Sequence, residues 1–255
     1  MRFVQNSNLP EEPVRLCAVG ERYGMLIAAL EARGIACLRV PEYPGLPAPV
    51  ACHADLQLCH LGGARIAVAA GRGREGLLEA LRKRGFSVEA AGPLTPDYPG
   101  DVPLNCAVVG KVCIGGKDKI DKIITNYCGE AGITLVPVNQ GYAKCSVCAV
   151  DERSIITQDP SIVQAAKRHG LNVLKIQTGR ILLPGYDTGF IGGCSGLLGR
   201  KLLAFTGSLG AHPDGERIKE FLHSRGVEPL ELTDGPLYDV GSILPLLEED
   251  ARRRP

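Results

Sequence analysis

No stretch of the 255 residues stays apolar for the roughly 18–20 positions that a membrane-spanning helix needs. The first residues, Met1-Arg-Phe-Val-Gln-Asn-Ser-Asn8, lack the apolar core of a secretory signal. These absences predict a cytoplasmic protein with no membrane partner. Concentrated positive charge is also missing: 29 Lys and Arg face 28 Asp and Glu, for a net charge of +1. The two densest basic stretches, 72–84 and 111–122, each carry two acids. A nucleic-acid backbone needs a larger positive footprint, so nucleic acid is not a predicted partner. There is no Gly-x-x-x-x-Gly-Lys-Ser/Thr phosphate loop, and Cys145-Ser-Val-Cys148 has no second cysteine pair at ligand spacing. The sequence therefore predicts no metal site and no cofactor.

Glycine, proline and cysteine are plentiful, at 32, 18 and 10 residues, and the first two at this density predict many turns. Nearly all the cysteines sit within apolar runs, as Cys17, Cys37, Cys106 and Cys113 do. That placement predicts buried thiols in a reducing compartment rather than disulfides.

The organisation shows at the helix ends. Five times a helix-like segment stops at glycine and an apolar residue follows: Arg33-Gly34-Ile35, Arg84-Gly85-Phe86, Ala131-Gly132-Ile133, His169-Gly170-Leu171 and Arg225-Gly226-Val227. Glycine suits the left-handed position just past a helix C-terminus. A short apolar strand precedes each helix (14–19, 64–70, 111–114, 154–157, 201–205) and another follows each glycine. A last short strand closes each unit, at 56–59, 106–109, 146–150, 188–191 and from 240. Unit starts fall about 50, 47, 42 and 48 residues apart. The spacing predicts an α/β protein of five β-α-β-β units, 14–63, 64–110, 111–152, 153–200 and 201–250, in a single domain over 1–255. Such a unit cannot bury its own sheet. Arranged radially as a pseudo-five-fold α/β propeller, the helices would cover the outside and the last strands would line the middle. An open doubly wound sheet would alternate strand and helix strictly, and the extra strand argues against it.

Two phrases set in this frame are Leu183-Pro-Gly-Tyr-Asp-Thr-Gly-Phe-Ile-Gly-Gly-Cys-Ser-Gly196 and Asp234-Gly-Pro-Leu-Tyr-Asp-Val-Gly-Ser-Ile-Leu-Pro-Leu246. With the five units, they resemble the penteins, the guanidino-group-modifying enzyme fold, in a bacterial branch; the resemblance covers 14–249. Its members include arginine deiminases, dimethylarginine hydrolases, peptidylarginine deiminases and amidinotransferases. In these a cysteine thiolate attacks a guanidinium carbon, a histidine handles protons and carboxylates hold the cation. The fold also houses a non-catalytic ribosome-associated factor. The resemblance implies a small cationic or polar ligand, guanidino or amino-acid-like, in a central channel. It implies either a cysteine-dependent hydrolase or amidinotransferase, or a non-catalytic binding or scaffold protein. Self-association into a homo-oligomer stays open. The enzymes keep their cysteine in the fifth unit and their histidine in the third. This chain has no cysteine after Cys194 and no histidine in Gly141–Cys148, so both roles must be sought at other positions.

Residues at the start of each unit's last strand repeat in register: Asp55, Asn105, Cys145 with Lys144, Asp187 and Asp239. Converging carboxylates would hold a guanidinium or ammonium group. The competing reading is turn chemistry, since Asp ahead of a glycine turn often only caps the backbone. His53 and Asp55 share a strand face at this spacing, which would let the acid orient the imidazole as a proton carrier. Cys145 is the first candidate nucleophile. Cys194, in Gly192-Gly-Cys-Ser-Gly196, is the second, because free backbone amides there would lower its pKa; an inert buried thiol is the alternative for each. A rival reading rests on Gly71-Arg-Gly73-Arg-Glu-Gly76, which follows a strand and opens a helix. Glu89 lies 18 residues on, an outline of a dinucleotide fingerprint and so of nucleotide binding.

Overall fold

The computed structural model describes residues 1–251, and five of its sheets repeat one design. Strand β1 (Val14–Gly20) runs into helix α1 (Gly24–Glu31) and returns as β2 (Ala36–Val40), parallel to it with Leu16 opposite Ala36. A four-residue helix, α2 (Ala54–Gln57), leads to β3 (Leu58–Gly62), which turns back antiparallel onto β4 (Arg65–Ala70). Helix α3 (Glu75–Lys83) then crosses over to the parallel β5 (Ser87–Pro93). The same hairpin and crossover recur as β6 (Ala107–Val109), β7 (Val112–Gly116), α4 (Lys122–Ala131) and β8 (Thr134–Val138). After a second short helix, α5 (Ala143–Ser146), come β9 (Cys148–Asp151), β10 (Ser154–Thr157), α6 (Pro160–Arg168) and β11 (Asn172–Lys175). The next sheet holds β12 (Ser195–Gly199), β13 (Leu202–Phe205) and, beyond α7 (Gly215–His223), β14 (Glu228–Glu231). Finally β15 (Leu244–Glu248) pairs antiparallel with β1, so strands from the two ends of the chain share a sheet.

Each unit's last strand therefore hairpins onto the first strand of the next. Strand β9 lies against β6 and β12, and β12 against β15. All five helix-ending glycines adopt positive φ, between 62° and 86°, the backbone region that the sequence pattern required of them. The helices lay one apolar stripe on the sheets. Leu77 and Leu81 of α3, and Ile218 and Leu222 of α7, are buried at the four-residue spacing that keeps a helix face constant.

The last strands all begin later than expected, by one or two residues in the first three units, four in the fifth and seven in the fourth. The fourth unit's last strand begins at Ser195, not at 188. Residues 188–191 are held off any ladder by other bonds: Gly189 N–H donates to Ile181 O, and Phe190 N–H to the Asp239 carboxylate. The strand needs Gly196, where a Cβ would stand 2.0 Å from Ile243 O, and so it starts where the small residues do. All ten cysteines are thiols, nine of them buried and Cys37 half-buried. Among the described residues no helix is long and apolar enough to cross a membrane.

Candidate active site

Two one-turn helices bring reactive groups together. Helix α2 carries Asp55 with His53 at its N-cap, and α5 carries Lys144 and Cys145. Asn105 clamps the two. Its Oδ1 accepts from the backbone N–H of Lys144 (2.8 Å) and Cys145 (3.2 Å). Its Nδ2 donates to Asp55 O (3.0 Å) and to Cys145 Sγ (3.3 Å). The corresponding place before β12 belongs to glycine. A Cβ on Gly192 would lie 2.4 Å from Lys144 O, and one on Gly193 2.0 Å from Asp239 Oδ1. Their missing side chains give Asp239 and α5 the space they occupy.

The Cys145 thiol donates to Asp55 Oδ2 at 3.1 Å. The same oxygen lies 2.6 Å from Ser242 Oγ, which accepts from Lys144 Nζ at 2.9 Å. The reactive atoms of His53, Asp55 and Cys145 all fall within 4.8 Å of one another. Asp239 accepts from Phe190 N–H (2.9 Å) and Gly241 N–H (3.0 Å), and its Oδ1 stands 3.9 Å from His53 Nδ1. His53, Cys145 and Asp239 border a cavity of about 240 Å³, walled by Leu56, Leu183 and the stacked rings of Tyr142 and Phe190, 6.2 Å apart. A larger groove of about 630 Å³ lies elsewhere, beside Asp151, Arg153, Arg200 and Arg225, but neither thiol nor imidazole borders it.

Burial dominates the electrostatics. It pushes the Cys145 thiol well above its ordinary value, and the Asp55 and Asp239 carboxylates push further the same way, against the Asn105 amide. Burial also raises Asp239 to about 6, opposed by its two backbone donors. It lowers His53 to about 4, the nearby Asp55 charge offsetting only part of the cost. At 3.9 Å the contact of His53 with Asp239 is too long for a hydrogen bond, so the ring is held neutral.

These two shifts oppose each other in stability. As pH falls from 6.5 to 4 the unfolded chain protonates its histidine before the fold does, so His53 costs stability toward acid. Over pH 6 to 4 the folded Asp239 takes up its proton before the unfolded chain does, so Asp239 adds stability toward acid. Each is worth about 3 kcal/mol at full span. In chelating buffer, His53→Gln should therefore gain about 3 kcal/mol relative to wild type between pH 7 and pH 4, measured by urea unfolding. Parallel pH profiles for the two proteins would refute this assignment of protons.

The residues picked from the sequence fare differently. Asp55, Asn105, Lys144, Cys145, His53 and Asp239 are buried and converge. They precede the last strands on short helices and turns rather than beginning them, so His53 and Asp55 do not share a strand face. The carboxylate nearest the imidazole is Asp239 in the ion-pair sense, while Asp55 is engaged by Cys145 and Ser242. Asp187 borders the cavity but is exposed, because glycine occupies its expected place in the fourth unit. Cys194 packs in the apolar core with its thiol donating to Ile191 O, and burial raises its pKa instead of the amides lowering it. Gly71–Gly76 does join a strand to a helix. However, Tyr43 Oη already stands 2.9 Å from where a Gly71 Cβ would be, and Glu89 is bound to Arg65 at 2.8 Å. Ser242 was not picked from the sequence. Its backbone, at φ 70°, follows Gly241 at φ 71°, where a Cβ would meet His53 Cα at 2.4 Å. The Asp-x-Gly-Ser run of 239–242 is the one signal that could have identified it.

A family model described as "Family of unknown function (DUF6873)" matches residues 18–244. No curated protein matches in sequence. Solved structures do match in fold. An inosamine-phosphate amidinotransferase from Streptomyces griseus is 12% identical, with a TM-score of 0.55 and 98% of each chain covered. A DDAH from Pseudomonas aeruginosa, complexed with citrulline, is 10% identical with a TM-score of 0.55, over 92% of this chain and 100% of that one. Agmatine deiminase from C. jejuni is 8% identical with a TM-score of 0.51, over 89% and 90%. The shared architecture is the pentein fold, and in this chain it places a cysteine beside an aspartate and a histidine.

Proposed function

The chain belongs to the family of unknown function (DUF6873), and from that premise we propose that it is a cysteine-dependent hydrolase or amidinotransferase acting on a small guanidino compound. One observation carries the reading: a thiol, an imidazole and a carboxylate lie within 4.8 Å of one another beside an aromatic-walled cavity. The substrate class is supported by the fold neighbours, named as an amidinotransferase, a citrulline-bound DDAH and an agmatine deiminase. We further take the five sheets as the blades of one closed domain over 1–255, with β3, β6, β9, β12 and β15 innermost. The contacts of β9 with β6 and β12, and of β12 with β15, support that closure. The nine buried thiols support a reducing, cytoplasmic setting.

The chemistry follows from the charges. A planar cation sits between Asp239 and Asp187 with Tyr142 and Phe190 against its face. Its charge offsets the carboxylates that hold Cys145 protonated. The S–H proton passes to His53 Nε2, and Sγ bonds to the guanidinium carbon. The C–N bond then breaks as His53 hands that proton to the leaving amine. Water adds next to the amidino carbon and expels the sulfur as a thiol, giving a urea-type product and releasing one proton, which the departed amine takes up. In a transferase an acceptor amine replaces the water. Asn105 and Ser242 act by position, the first aiming Sγ and the second holding Asp55.

Incubation of the chelator-treated protein with arginine, agmatine and dimethylarginine, read as ureido product and free amine, tests the reading. Turnover of at least one is expected. Cys145→Ser should reduce it by at least about 10³-fold and Asp239→Asn should raise KM about tenfold. If these compounds raise the melting temperature but none is turned over, the protein is a binding protein and the enzymatic reading fails.

A further inference from the structure

We propose that the cavity floor is also a site for a thiophilic divalent cation, with Zn²⁺ the best match, held by Cys145 Sγ, His53 Nε2 and Asp55 Oδ1 and competing there with the cationic substrate. The inference shares the residues of the preceding reading but does not need its chemistry. Sulfur, nitrogen and oxygen donors in one set suit zinc, which takes three protein ligands and leaves a fourth position open in sites that exchange water or ligand.

Two of the three donors are without partners. His53 and Asp55 are each 1% exposed, and His53 Nε2 and Asp55 Oδ1 have no hydrogen bond. Orphan acceptors so deeply buried are costly unless something takes up their lone pairs. The other oxygen of Asp55 is already engaged, since Oδ2 accepts from Cys145 and Ser242. His53 Nδ1 faces Asp239 Oδ1 at 3.9 Å, and a small ring rotation on binding would turn that contact into the carboxylate–imidazole hydrogen bond that orients metal-bound histidines. Charge points the same way. Two carboxylates, Asp55 and Asp239, flank the thiol, whereas the buried Lys144 donates its hydrogen bond to Ser242 Oγ instead of to a carboxylate. A divalent ion with one thiolate and one carboxylate is locally neutral.

The geometry is close to what is required. Zinc bonds of about 2.0–2.3 Å at tetrahedral angles set donors about 3.3–3.7 Å apart. Each of the three residues offers a donor atom within 4.8 Å of the others, so side-chain rotations of roughly 1 Å must draw them together on binding. On binding, the Cys145 S–H bond breaks, its proton leaves to solvent and a Zn–S bond forms. Asn105 Nδ2 can keep its bond to the sulfur. The fourth position opens on the 240 Å³ cavity, where water or a ligand amine would sit. Occupied in this way, the sulfur can no longer attack a guanidinium carbon, so the ion acts as a reversible brake.

The test uses the full chain after chelator treatment, with Co²⁺ as the optical probe and Zn²⁺ as the competitor. One equivalent of Co²⁺ should produce a thiolate-to-cobalt absorption band together with the intense visible bands of a four-coordinate ion, and one equivalent of Zn²⁺ should erase both. Cys145→Ser should abolish the thiolate band, His53→Gln and Asp55→Asn should each weaken binding at least tenfold, and Cys37→Ser should leave it unchanged. If Cys145→Ser fails to fold, wild type still decides. Zn²⁺ should slow iodoacetamide labelling of the Cys145 peptide at least tenfold, and chelator should restore it. Absence of the thiolate band in wild type, or a band undiminished in Cys145→Ser, overturns the proposal. Neither readout involves a guanidino compound, so the metal site and the enzymatic reading can each fail alone.

Discussion

Alkylation of Cys145 by a cationic haloacetamidine at neutral pH should outpace alkylation by neutral iodoacetamide by on the order of 10²–10³, each rate taken relative to free cysteine. The reason lies in what surrounds the sulfur. Burial and the carboxylates of Asp55 and Asp239 keep the thiol protonated, so a neutral reagent meets a poor nucleophile. A cation about 4 Å from the sulfur contributes about 4 kcal/mol toward the thiolate at an effective dielectric near 20, close to a thousandfold. The reagent that resembles a guanidinium thus supplies the charge that makes the nucleophile. Such an enzyme would be inert toward stray electrophiles and reactive only when filled. Peptide mass mapping in chelating buffer gives the site and the rate. A ratio equal to that of free cysteine would show that the carboxylates do not gate the thiol, and the cation-triggered mechanism would fall. Asp239→Asn should shrink the ratio, because one of the two opposing charges is gone while the site keeps its shape.

The second large effect is expected at a residue with no side chain. Gly193→Ala should lose roughly 3–5 kcal/mol of stability and abolish selective labelling of Cys145. The new methyl would stand 2.0 Å from Asp239 Oδ1, 2.4 Å from its Cγ and 2.6 Å from Oδ2, so no rotation of the carboxylate clears it. Asp239 would have to give up Phe190 N–H and Gly241 N–H, leaving buried donors unsatisfied. The backbone cannot yield cheaply either. Gly193 N–H donates to Cys145 O at 2.8 Å, and its carbonyl accepts from Val240 N–H (3.0 Å) and Ser242 N–H (2.8 Å). Moving Gly193 therefore moves Cys145 and Ser242 together. Gly76→Ala is the control: nothing lies within 4 Å of the added methyl and the position is in the first turn of α3, so a gain of up to about 1 kcal/mol is expected. Urea unfolding of both variants settles the point, and equal midpoints would refute the crowding argument.

How much of this was legible beforehand depended on the range of the interaction. The helix ends were, because a glycine past a helix terminus answers a local demand on φ, and all five glycines meet it. The convergence of Asp55, Asn105 and Cys145 was legible too, because positions near each unit's last strand recur with the period of the fold, although the sequence put these residues at the start of the strands and the structure puts them just before. The fourth unit broke the rule. Asp187 kept the local turn signature but not the place, which Gly192 and Gly193 take so that the chain can pass Lys144 O and Asp239. The thiol's character was not legible either. The amides near Cys194 suggested a lowered pKa, yet burial outweighs them. The sequence by itself determined the repeated β-α-β-β unit, its glycine stops and the residue types that meet at its strand entries, since these follow from backbone preference and short-range periodicity. Only the tertiary structure decided which cysteine meets which carboxylate, that Ser242 joins them and that β15 closes onto β1. Those contacts link positions 90 or more residues apart, and no local signal encodes the distance between them.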